Sequence, residues 1–254
     1  MRQAVDIIGG PLAGAAADTC TWTGAGGNAN FSTAGNWTGC DNANVPEAGD
    51  ILRFNTVPAD DTTLNNDLGV AFAGIQSAAI ESSNFGTYKI NTITFAAGAS
   101  VSIVPGSTCT MNDVAYLDID TINGQGNLDL GSHVSLGAQP VITVAGDLTL
   151  HSGYMNAGAG SSVSGGIIVA PSSPRTTATD CGGGAGGSGT GAGPSITGLT
   201  VNSLTVQKGA SVTLGNTSFP LTLGGGSGAT APNVLFGANQ DAENNPIATT
   251  YTVS

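Results

Sequence analysis

Charge is what this chain has least of. Charged residues fill 9% of its 254 positions, about a third of the usual share. Positive charge is the scarcer sign: Arg2, Arg53, Lys89, Arg175 and Lys208 stand against 17 acids, for a formal net charge of −12. Five scattered bases cannot neutralise a run of phosphates, which excludes nucleic acid as a partner. An anionic membrane surface is excluded for the same reason. Aromatic residues are 5%, so a round core would be short of large side chains. The two histidines, His133 and His151, have no second His or Cys at metal-binding spacing. No apolar run reaches membrane-spanning length, and no segment sustains the helical apolar period. There is no Gly-x-Ser-x-Gly elbow. The run GAGGSG at 184–189 matches a dinucleotide fingerprint only formally, because no helix pattern follows it.

What the chain does have is glycine, 40 residues of it, and apolar residues that are mostly Ala, Val, Ile and Leu. Short β-runs recur between Gly, Asn, Asp or Pro, among them Ile51–Phe54, Val101–Val104, Leu117–Ile119, Val141–Val144, Leu148–Leu150 and Ile167–Val169. An internal repeat accompanies them. Asn91–Ile103 reads NTITFAAGASVSI and Asn202–Leu214 reads NSLTVQKGASVTL, aligned without a gap. Gly126–Leu136 and Val141–Leu150 are shorter echoes. Each is strand, Gly-containing turn, strand, the unit a solenoid coil needs, since one coil cannot bury its apolar side alone. The expected fold is all-β: a single-stranded, right-handed parallel β-solenoid (β-helix) with an N-terminal cap. The alternative is a β-sandwich or jelly roll built from similar hairpins.

Three regions follow. Residues 1–17 combine an early Arg with a small-residue run, and read as a signal remnant or as a donor-like strand. In that strand Val5 and Ile7 share a face and could add to a neighbouring subunit, which makes them the self-assembly candidates. Residues 18–58 hold Trp22, Trp37, Cys20 and Cys40 and read as the cap, which solenoids need to cover an open edge. Residues 59–254 are the body, interrupted by the Gly-rich loop 171–194, which is expected to leave it.

Four cysteines without a CxxC fit disulfides in an oxidising compartment. Cys20 and Cys40 bracket one compact segment and are expected to pair; Cys109–Cys181 follows by elimination. Buried free thiols are the alternative.

The segment Thr21–Phe54 carries Trp22, Gly24, Asn36, Trp37, Pro46, Gly49, Asp50 and Phe54. It resembles the opening of bacterial autotransporter and adhesin-like secreted β-solenoids, whose coils the Asn-x-[Ile/Leu]-Thr repeat also resembles. The resemblance implies an extracellular or cell-surface architecture and says nothing of a ligand. Read physically, the tryptophans are plugs for a small-residue core, and Asn36 and Asp50 tie turns.

Catalytic signatures are sparse. Glycan-cleaving β-helices resembling polygalacturonases carry several paired motifs, of which only Asp60-Asp61 occurs here. Lyase chemistry needs a base beside a carboxylate, and bases are few, so no enzyme is expected and no catalytic residue is assigned. Asp118 and Asp120 share a strand face and are carboxylate candidates for Ca²⁺, as are Asp41, Asn44 and Glu47 in an oxygen-rich loop. Asn30, Asn36 and Asn216 head N-glycosylation sequons. The expected function is a structural or adhesive protein, self-assembling into a filament or surface layer. Its expected partners are copies of itself or a host or cell-surface glycan. The alternative is a glycan-binding or glycan-cleaving β-helix.

Overall fold

A computed structural model describes residues 17–41, 43–78, 86–105, 115–131, 134–136, 139–151 and 154–170. It also describes the short segments 195–197, 200–201, 204–207, 211–214, 221–223, 233–236, 239–240 and 246–247. Val5, Ile7, Cys109, His133, Cys181 and the Gly-rich segment 171–194 lie outside the described residues.

The fold is all-β. Among the described residues the one helical element is a 3₁₀ turn at Ala34–Asn36. The sheet is mostly parallel; the described exceptions are Thr19–Trp22 against Trp37–Thr38 and Asn239–Gln240 against Pro246–Ile247. Strands that neighbour each other in sequence generally do not pair. Val141–Val144 and Leu148–Leu150 are three residues apart. Yet the first pairs with Ala115–Gly124 and Ser162–Val163, and the second with Leu128–Leu130 and Ile167–Val169. That pattern is not a hairpin, and each parallel partner is reached through a crossover.

The register makes continuous columns. One runs Cys20, Leu52, Ile75, Val101, Leu130, Leu150, Val169, Val206, Leu223, each paired with the next. From Cys20 to Val169 these side chains are at most 3% exposed. The last four steps are 20, 19, 37 and 17 residues, and the long one contains segment 171–194. A second column runs Leu117, Leu136, Met155, Ile196, Leu214, Phe236. A third set stacks Ile93 on Ile122 on Ile142, and Leu64 on Ile90 on Ile119. The short strands alternate, as in Leu128–Leu130 with its buried, half-buried, buried pattern, so one side of each strand supplies the core. Each fully buried Leu, Ile or Val contributes roughly 1.5–3 kcal/mol, and like-on-like stacking lets a chain poor in aromatics build that core from small units.

Polar residues mark the corners. The Asn65 amide donates to Asn30 Oδ1 at 3.1 Å and the Asn91 amide donates to Asn65 Oδ1 at 2.9 Å. Further on, Asn127 Oδ1 accepts from the Asp147 backbone, and Asp147 Oδ1 accepts from the Gly166 backbone, both at 2.9 Å. Stacked corners thus satisfy the backbone groups that the strands leave over.

Asn91–Ile103 lies within one long strand, Tyr88–Ile103, yet its halves pair with different partners on either side of Gly98, which takes φ +80°: Thr92–Phe95 with Ala115–Gly124, and Ala99–Val101 with Leu128–Leu130. The register also shifts the repeat. Asn91–Ile103 aligns in space with Val141–Leu150, whereas Asn202–Leu214 aligns with Gly126–Leu136. The two best-matching sequences therefore sit around different corners. A glycine between two β-runs is equally suited to either.

Candidate functional site

Aromatic rings cluster in the segment Trp22–Phe54. Trp22 and Trp37 meet edge to face at 4.9 Å, and Phe31 meets Trp37 at 5.0 Å, in the edge-on geometry aromatic pairs favour. Phe54 extends the cluster from Trp37 to Tyr88. Both tryptophans are buried, and Trp37 Nε1 donates to the Phe31 carbonyl at 2.8 Å. Buried rings pack; they are not presented to a sugar. Cys20 and Cys40 are joined as a disulfide, as their spacing suggested.

Two buried polar side chains hold this region. Asn36 Oδ1 accepts from the Gly26 backbone at 2.8 Å, and its amide donates to the Asn28 and Asn30 carbonyls at 3.0 and 2.9 Å. Asp50 accepts from the Asp18 and Glu47 backbones at 3.0 and 2.8 Å. Asp50 ties its own turn, as expected; Asn36 instead reaches across to the loop that precedes it.

The charged cluster with the most chemical content surrounds Lys89. Its strand position is paired with Thr63 on one side and Asp118 on the other. The ammonium meets Asp61 Oδ2 at 2.7 Å. Asp61 Oδ1 also accepts from the Thr87 backbone and hydroxyl, both at 3.0 Å. The Lys89 hydrogen bond, followed by those from Thr87, lowers the Asp61 carboxyl to about 2. Asp118 behaves oppositely. Its Oδ1 is buried and accepts no hydrogen bond. Burial raises its pKa; Lys89 opposes this, and Asp120 and Asp61 reinforce it. Asp120 is exposed on the same side of the strand, while Leu117 and Ile119 point into the core. A second ion pair joins His151 Nε2 to Asp129 Oδ1 at 3.2 Å.

Of the sequence-derived candidates, the structure brings Asp118 and Asp120 to one strand face. Asp41, Asn44 and Glu47 lie together on an exposed loop. Among the described residues no three His, Cys, Asp or Glu side chains converge to hold a metal ion. A hollow lined by Thr56, Val57, Pro58, Ser77, Thr87 and Tyr88 has about 10 Å³ of internal space. That is about one water, far below a small-molecule site. The Lys89–Asp61 pair and the asparagine ladder were not anticipated. The ladder's signal was present as asparagines at the ends of successive β-runs, but their separations of 35 and 26 residues hide it from a fixed-period search.

No protein-family model matches the chain, and no curated protein and no solved structure is similar to it.

Proposed function

We propose that the chain is a right-handed parallel β-solenoid that serves as an extracellular structural or adhesive element, not as an enzyme. The observation that carries this reading is the column from Cys20 to Leu223, in which each residue pairs in parallel with the next. Such stacking builds length, with the contacts of each layer made to its neighbours. The cap disulfide supports an oxidising compartment, and no helix among the described residues is long and apolar enough to cross a membrane. The chemistry of the surface supports a passive role: the Lys89–Asp61 pair is exposed, and each charge is committed to the other.

Glycan cleavage keeps one supporting observation, the half-buried Asp118, whose unpaired Oδ1 is buried and whose pKa burial raises, beside Lys89. Electron microscopy of the purified protein tests the main reading, and rods or filaments are its expected result. Compact particles together with release of reducing sugar from a polysaccharide panel, abolished by Asp118→Asn, would favour the alternative.

A further inference from the structure

One outward face of the sheet carries no charge. Thr92 and Thr94 flank buried Ile93; Thr121 and Asn123 flank buried Ile122; Val141 and Thr143 flank buried Ile142. Because alternate residues of a strand point to opposite sides, these six point away from the core. The register stacks them as two columns. One is Thr92, Thr121, Val141, and the other is Thr94, Asn123, Thr143, continued by Ser162. Val141, the exposed large apolar side chain of the described residues, lies within this face. Val141, Thr143 and Ser162 are exposed, and Thr92, Thr94, Thr121 and Asn123 are half-buried. Acids occur beside the columns in sequence, at Asp120 and Asp147, but none stands in them. The other outward positions do carry charge, including Arg53 and Asp129.

The spacing narrows the ligand. Parallel strands are about 4.7–4.9 Å apart, so side chains repeat at that interval up each column, with hydroxyls at Thr92 and Thr121 in the first and at Thr94, Thr143 and Ser162 in the second, where Asn123 interrupts them. Two tetrahedrally linked O–H···O bonds of about 2.75 Å place second-neighbour water oxygens about 4.5 Å apart. The two repeats differ by a few tenths of an ångström, so the mismatch stays at about 1 Å over the four layers from Thr94 to Ser162. A chain with formal net charge −12 keeps this face neutral, which matches a neutral ligand and none of the ionic ones. Among the described residues, the rings of Trp22, Phe31, Trp37, Phe54, Phe72 and Phe95, which sugar stacking would use, are in the core. We infer that this face binds the surface of an ice crystal: threonine hydroxyls join the water lattice, and the threonine and Val141 methyls fill the gaps between them.

The test is thermal hysteresis and ice-crystal shaping by the purified chain, with circular dichroism to verify folding. The intact protein is expected to shape single ice crystals. Thr94→Lys and Thr143→Lys, each placing a charge in the array, are expected to abolish shaping while leaving the β spectrum unchanged. Thr149→Lys, on an outward column with Asp129, is expected to retain it. Absence of shaping by the intact chain would overturn the inference, as would equal loss in Thr149→Lys. Retention on cellulose, or self-association in sedimentation, that Thr143→Lys removes while ice remains unshaped would assign the face to a polysaccharide or to a second copy instead.

Discussion

Lys89 and Asp118 occupy paired positions on adjacent parallel strands, yet the Lys89 ammonium bonds to Asp61, 2.7 Å away. Asp118 is thereby left with a buried oxygen that accepts no hydrogen bond, and burial raises its pKa. A raised folded-state pKa means that the native state holds the proton more tightly than the unfolded chain. Ionising Asp118 therefore costs stability as pH rises above the unfolded value of about 3.9. Asp118→Asn is expected to raise the urea midpoint at pH 7 and to change it little at pH 3. An equal shift at both values would contradict the assignment.

Asp61 has the opposite sign. Its folded pKa is lowered to about 2 by Lys89 and Thr87, so its contribution is present above the unfolded value of about 3.9 and fades as pH falls towards 2. Asp61→Asn is expected to lower the midpoint slightly at pH 7 and to leave it unchanged at pH 2. Because the pair is solvent-exposed, added salt should shrink the pH 7 difference; a salt-independent effect would argue against it.

Asn36 is fully buried and bonds three backbone groups of the preceding loop. Asn36→Ala leaves those groups unpaired and is expected to cost about 2–4 kcal/mol by denaturant unfolding. The same burial makes the Asn36 sequon a poor acceptor: glycopeptide mapping of protein from a glycosylating host is expected to find Asn36 unmodified.

The Cys20–Cys40 bond spans 20 residues. By the chain-entropy model such a loop is worth about 3 kcal/mol, so the Cys20→Ala/Cys40→Ala variant is expected to unfold at correspondingly lower denaturant. Cys109 and Cys181 lie outside the described residues, and their pairing is proposed on their even number alone. Peptide mapping without reductant that finds both as thiols would remove it.

Gly74 pairs with Ser100 on the next strand, and a Cβ there would run into the Ser100 carbonyl. Gly74→Ala is expected to destabilise by roughly 1–3 kcal/mol, as overpacking of a tight site does. Gly49, which takes φ +91° with open space where a Cβ would stand, is expected to tolerate Ala with only the backbone penalty of about 1–2 kcal/mol. A Gly74→Ala variant as stable as the parent would refute the close approach.

The strand content was legible because apolar alternation is local: Leu148–Leu150 and Ile167–Val169 are written directly in the sequence and form those strands. The Cys20–Cys40 disulfide was legible because its cysteines bracket one segment. The stacking register was not. It depends on which β-run lies one layer away, and the layer length varies from 17 to 37 residues over the last steps alone. Sequence likeness between Asn91–Ile103 and Asn202–Leu214 therefore pointed to the right kind of unit and the wrong alignment in space. The Lys89 cluster was hidden for the same reason, since Asp61, Lys89 and Asp118 become neighbours only through the ladder.

Parallel stacking of successive layers is tested most directly by nuclear Overhauser contacts between methyl groups. With Leu, Ile and Val methyls labelled, Leu148 is expected to contact Leu128 and Ile167, and Leu150 to contact Leu130 and Val169. Backbone contacts pairing Val141–Val144 antiparallel with Leu148–Leu150, as a hairpin of a β-sandwich requires, would contradict it.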